Sequence, residues 1–121
     1  ARFLADPDQD VRRTAVETLG VFGTKEYAPD IARLLADPDQ DVRRTAVEAL
    51  EQLGAKEYAP DIARLLTDPD SEVRWAAAHA LGTLSGQTFS CDAAGVLAAQ
   101  AWWDQHQNDP EFARLAGTPA P

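Results

Sequence analysis

Apolar residues recur three and four positions apart along most of this chain, in two runs that repeat every 31 residues. Within residues 37–67, counting from Val42 at about 100° per residue, Ala46, Ala49, Leu50 and Leu53 fall in one arc, with Arg44, Glu48 and Glu51 opposite. That spacing predicts an amphipathic helix over roughly residues 40–53, helix A of the unit. Pro38 keeps Asp37 out of helical geometry, Asp39 is placed to cap the first turn, and Gly54 is placed to end the last. A second run, with Tyr58, Ala59, Ile62, Leu65 and Leu66 on one face, predicts helix B over roughly residues 56–66, with Pro60 tolerated near its first turn.

The unit is repeated. Residues 6–36 match residues 37–67 at 25 of 31 positions, and residues 68–98 follow the same plan less closely. In the first unit Val11, Ala15, Leu19 and Phe22 take the apolar places of helix A, and Tyr27, Ile31, Leu34 and Leu35 those of helix B. Neither helix pair buries its apolar face alone, so stacked pairs must share one core. The third unit keeps Val73, Leu81, Leu84 and Phe89 but replaces Arg44 with Trp75 and Glu48 with His79 on the outside. Its helix B is predicted over roughly residues 90–106, running past the repeat length into Trp102-Trp103. A short helix over residues 110–115 is then expected to fold Phe112 and Leu115 back as a C-terminal aromatic cap, with the tail as the lid over Trp75.

The first five residues, ARFLA, align with residues 32–36, ARLLA. They read as the last turn of an earlier helix, left either by a fragment of a longer array or by a chain whose missing half comes from another subunit. Phe3 and Leu4 are expected to be adhesive, and a homodimer through the uncapped N-terminal end is the simplest result.

These motifs resemble the HEAT-repeat family in its short form, the PBS-lyase HEAT-like repeat. The resemblance rests on Asp37-Pro38-Asp39 with Val42, Arg43, Ala46, Leu50 and Gly54, then Ala59-Pro60, Ile62 and Leu65-Leu66, and covers about residues 1–98. The 31-residue period is shorter than the ~40–47 of long HEAT and armadillo repeats, and the ankyrin and tetratricopeptide motifs are absent. The resemblance implies an all-α, right-handed solenoid that acts as a binding scaffold with helix B lining a concave inner surface. It also implies two alternatives: a bilin-lyase-type chromophore accessory protein, or a purely structural segment of a longer repeat protein. The Trp102-Trp103 pair is similar to aromatic end-caps of such proteins.

Charge narrows the partner. Twenty acids against 11 bases give a net charge of -9, which opposes nucleic acid and anionic membranes. No apolar run approaches the ~20 residues of a membrane span. One cysteine rules out an internal disulfide framework, no leader peptide is visible, and a cytoplasmic protein is expected.

Candidate chemistry is sparse. Arg12, Arg43 and Arg74 recur with Asp6, Asp37 and Asp68, and read as an Asp–Arg ladder between repeats in preference to an anion site. Cys91 stands where the earlier units have Pro29 and Pro60, beside the concave side, with no catalytic partner suggested by spacing. His79, His106, Asp104 and Glu111 have no metal-ligand spacing. No enzyme activity, metal or cofactor is expected. The expected function is a non-enzymatic protein–protein interaction scaffold. Its partner-binding residues are expected to be Glu26, Arg33, Glu57, Asp61 and Arg64, a neutral patch around Cys91 and Gly95, and Trp102 as an aromatic anchor.

Overall fold

The computed structural model describes residues 2–23, 25–110 and 112. Three long helices form one layer: α1 (Gln9–Phe22), α3 (Gln40–Gln52) and α5 (Ser71–Ser85). These are the helix A elements, and α3 packs against α1 on one side and α5 on the other. The helix B elements, α2 (Ala28–Arg33), α4 (Ala59–Ala63) and α6 (Ala93–His106), form the second layer, α2 on α3, and α4 and α6 on α5. No strand occurs among the described residues. The protein is an all-α solenoid of stacked helix pairs.

Each helix A begins on the last Asp of its D-P-D turn. Asp39 accepts the N–H groups of Asp41 at 2.9 Å and Val42 at 3.1 Å, and Asp70 does the same for Glu72 and Val73. Capping of this kind contributes about 1 kcal/mol per helix. At the other end Gly54 adopts φ +64°, the left-handed conformation that stops a helix without a Cβ penalty.

Helix B is shorter than its apolar pattern predicts. In the second unit only Ala59–Ala63 is α-helical, flanked by 3-10 turns at Lys56–Tyr58 and Arg64–Thr67. Pro60 has no N–H to give the Lys56 carbonyl, which takes the Ala59 N–H instead and tightens the turn. At the far end Pro69 holds Asp68 extended, at φ -61° and ψ 145°, and so ends the unit. The third helix B also starts later than expected, at Ala93, because Asp92 rather than an earlier residue caps it.

One apolar cluster runs from Leu4 to Phe112. Val42, Ala46 and Leu50 are 0% exposed, and so is Val47, because α3 is covered on two sides. Small residues permit this: Ala49 of α3 meets Gly20 of α1 so closely that a Cβ at Gly20 would lie 3.0 Å from the Ala49 Cβ.

The first unit departs from its predicted burial. Val11, Ala15 and Leu19 are half-buried and Phe22 is 75% exposed, although their counterparts in α3 are buried. In α3 that face lies against a preceding helix A, whereas over α1 the described residues supply only the 3-10 turn Arg2–Ala5. Phe3 and Leu4 also part company: Phe3 is exposed, but Leu4 is buried in the core.

The chain closes its C-terminal end with aromatic side chains. Trp103 and Phe112 are buried, with ring centroids 5.2 Å apart, and Phe112 also meets Trp102 edge-on at 6.1 Å. The described part of the tail therefore covers α6 and is not the lid expected over Trp75, which remains exposed beside Cys91. The expected helix over residues 110–115 lies outside the described residues except for Pro110 and Phe112.

Candidate interaction surface

The D-P-D turns and the arginines of helix A build the polar seam of the helix B side. The Asp37 carboxylate accepts Arg12 Nε at 2.7 Å and Nη2 at 3.0 Å, a two-point fork, and also the Asp39 N–H. Arg12 Nη1 turns back to the carbonyls of Asp6 and Pro7, at 2.7 and 3.0 Å. Arg43 repeats this with the Asp68 carboxylate, at 2.9 and 3.1 Å, and the carbonyls of Asp37 and Pro38. Each arginine thus clamps its own turn and the next. The Asp37 hydrogen bond holds the Arg12 guanidinium above its ordinary pKa, against the opposing effect of desolvation. Asp37 and Asp68 are each only 7% exposed, so these pairs are largely withdrawn from water.

Two grooves related by the repeat open beside this seam. The first, about 580 Å³, is lined by Leu4, Ala5, Arg12, Asp30, Arg33, Leu34 and Asp37. The second, about 500 Å³, is lined by their counterparts 31 residues on, among them Leu35, Arg43, Asp61, Arg64 and Leu65. A third, about 410 Å³, lies between α4 and α6 and adds Thr67, Gln100, Trp103 and Asp104 to Arg64.

Three of the residues expected at a binding surface, Arg33, Asp61 and Arg64, line these grooves, and Asp30 in place of Glu26 lines the first. Arg33 and Arg64 have side chains 81% and 78% exposed, next to Asp30 at 3.6 Å and Asp61 at 2.9 Å. Glu26 is exposed in the 3-10 turn Lys25–Tyr27, and Glu57 is half-buried in the corresponding turn. Arg64 is shared by the second and third grooves.

The neutral patch does not form. Gly95 is buried, and a Cβ there would stand 1.6 Å from the Ser90 carbonyl oxygen. Cys91 is exposed, but in a different groove of about 510 Å³ on the helix A side, with Arg44, Glu48, Glu72, Trp75 and His79. The late start of α6 explains both corrections. Residues 87–90 form no regular secondary structure, so Cys91 stays outside the helix and lines a groove with residues of α5 while Ser90 covers Gly95. Asp92 holds this corner by accepting the Ser90 hydroxyl at 2.6 Å and the Gly95 N–H at 2.8 Å. The Ser90 bond, and then the Gly95 bond, keep its carboxyl below the ordinary value. Trp102 is half-buried, stacked on His106 at 4.3 Å and edge-on to Phe89 at 6.4 Å, so most of its ring is engaged within the chain.

Two features escape a reading of residue spacing. Glu51 Oε2 lies 2.9 Å from His79 Nδ1 and 2.8 Å from the Thr83 hydroxyl, joining α3 to α5. No sequence signal marks it, because Glu48 and not Glu51 is the counterpart of His79. The second is the end of the Asp–Arg ladder. Arg12 and Arg43 each find an Asp 25 residues on, whereas Arg74 finds Ala99, a difference the sequence does carry. Among the described residues no group of three or more His, Cys, Asp or Glu side chains is placed to hold a metal ion. No helix there is long and apolar enough to cross a membrane.

The family model for HEAT repeats matches residues 1–82 and again residues 31–108. No curated protein matches the chain.

Proposed function

Since the chain belongs to the HEAT-repeat family, whose members generally serve as protein–protein interaction scaffolds and are typically non-catalytic, we propose that it binds a protein partner along its helix B side. One observation carries the reading. A groove with the same polar and apolar lining recurs after 31 residues, with Asp30, Arg33 and Leu34 in one copy and Asp61, Arg64 and Leu65 in the other. A surface repeated at fixed spacing suits an elongated partner that makes equivalent contacts at successive steps. Charged side chains over an apolar floor favour selectivity and orientation over raw affinity.

The test compares the native chain with the double variant Arg33→Glu and Arg64→Glu. Both side chains are largely exposed, so the fold should survive. A protein retained from lysate by the native chain, lost by the variant, and bound again after purification supports the reading. Equal retention by both forms overturns it.

The short PBS-lyase-like subtype and a cytoplasmic location remain part of this proposal. The chromophore-accessory alternative has the exposed Cys91 as its handle. Absorbance and zinc-fluorescence measurements with a bilin test it directly, and no signal removes it.

A second copy of the chain is the further proposed partner. The half-buried Val11, Ala15 and Leu19 of α1, with exposed Phe3, line a groove of about 530 Å³. Their counterparts in α3 are covered by a helix A, which is what a second α1 would supply. Light scattering that gives a dimer for the native chain and a monomer for Leu19→Asp supports this pairing. A strict monomer at high concentration overturns it.

A further inference from the structure

We propose that the free edge of the Arg74 guanidinium binds a carboxylate presented by the protein partner, an inference that rests on the scaffold reading above. The two preceding arginines define what a complete site looks like. In each, Nη1 bonds the two carbonyls of its own turn while Nε and Nη2 grip an Asp carboxylate from the next. Arg74 keeps the first half: its Nη1 bonds the Asp68 carbonyl at 2.6 Å and the Pro69 carbonyl at 3.1 Å. The second half is missing, because the residue 25 positions on, where the ladder has an Asp, is Ala99, buried in α6.

Among the described residues no acceptor meets Nε or Nη2 of Arg74, and neither nitrogen is sealed in the core without a partner. Arg74 is only half-buried, so that edge is not sealed from solvent. The neighbouring carboxylates are engaged elsewhere. Asp68 is held by Arg43 and by the Asp70 N–H, and Asp70 caps α5 through the N–H groups of Glu72 and Val73.

Chemistry sets the ligand class. A guanidinium edge presents two parallel N–H donors whose separation fits the two oxygens of a carboxylate. Two carbonyls already fix the plane of this one, so little rotamer freedom is lost on binding. The net charge of -9 opposes an acidic tract. The ligand is therefore a single Asp or Glu side chain, or a chain terminus, within an otherwise neutral or basic segment. The location suits the helix B side, because Asp68 follows Thr67, which lines the groove between α4 and α6.

The arginine Nε–H signals of the full native chain, observed by nuclear magnetic resonance, test the proposal with sodium acetate as the probe. Arg74→Lys assigns the Arg74 signal by its loss. Acetate should move that signal saturably, by about fivefold more than those of Arg12 and Arg43, whose edges are occupied. Sodium chloride at equal ionic strength and inorganic phosphate form the other arms. No shift, an equal shift with chloride, or a preference for phosphate each overturns the proposal. The titration needs no protein partner, so its failure is distinct from failure of the scaffold reading.

Discussion

Arg43 in α3 grips Asp68, the first residue of the next unit, through two nitrogen–oxygen contacts of 2.9 and 3.1 Å. The Asp68 side chain is 5% exposed and that of Arg43 15%, so water competes poorly for either. The pair ties the helix A of one repeat to the turn that starts the following one. A two-point fork also fixes the angle between them.

Breaking that pair from either side should be costly. Arg43→Ala or Asp68→Ala should lose roughly 2–4 kcal/mol, between the limits for exposed and fully buried pairs. Arg64→Ala, which removes an ion pair of equal length from a side chain 78% exposed, should leave the urea midpoint unchanged. Denaturation curves of the three variants check this, and an equal loss in all three would refute it.

The two faces of α3 should differ in the size and the salt dependence of their response. Leu50 is 0% exposed, and Leu50→Asp should cost more than about 5 kcal/mol, enough to unfold a domain of ordinary stability. Arg44 lies 3.4 Å from Asp41, 3.7 Å from Glu48 and 3.9 Å from Glu72. From the sequence alone Arg44→Glu reads as nearly silent. With three acids around it, the reversal should instead destabilise the fold, and added salt should relieve the loss. Arg44→Gln should be close to neutral. Thermal melts at low and high salt separate the three.

Gly95 is fixed by space and not by backbone angle. A Cβ there would be 1.6 Å from the Ser90 oxygen and 2.5 Å from its carbonyl carbon, both backbone atoms that cannot rotate away. Gly95→Ala should therefore cost about 1–3 kcal/mol, despite the better helix propensity of alanine. A more stable Gly95→Ala variant in a urea titration would show that the 87–90 segment yields at little expense.

The Asp92 corner gives stability a defined pH dependence. Its folded pKa is depressed below 3.8, first by the Ser90 hydroxyl and then by the Gly95 N–H. Its charged form thus stabilises the fold above that pH, and the contribution fades as pH falls through the folded value. Asp92→Asn keeps a capping oxygen but not the charge. The stability gap between native chain and variant should be present near neutrality and shrink below a pH of about 3.8. Urea midpoints taken across that range would refute this if the gap stayed constant.

The periodic sequence by itself determined the stacked helix pairs, the D-P-D caps, the Gly54 stop and the burial of Val42, Ala46 and Leu50. These depend on nearest-neighbour geometry, which a repeat copies with each unit. It determined the Asp–Arg ladder too, since both partners recur at one spacing.

Only the tertiary structure decided what happens where the repetition fails. It put Cys91 on the helix A side, buried Gly95 under Ser90, and left Phe22 exposed on α1. It also joined Glu51 to His79 across two helices. The physical reason is common to all of them. A residue's surroundings at the margin of a stack depend on which element lies over it and at what angle. Spacing along a chain encodes the face a side chain occupies, but not what arrives to cover it.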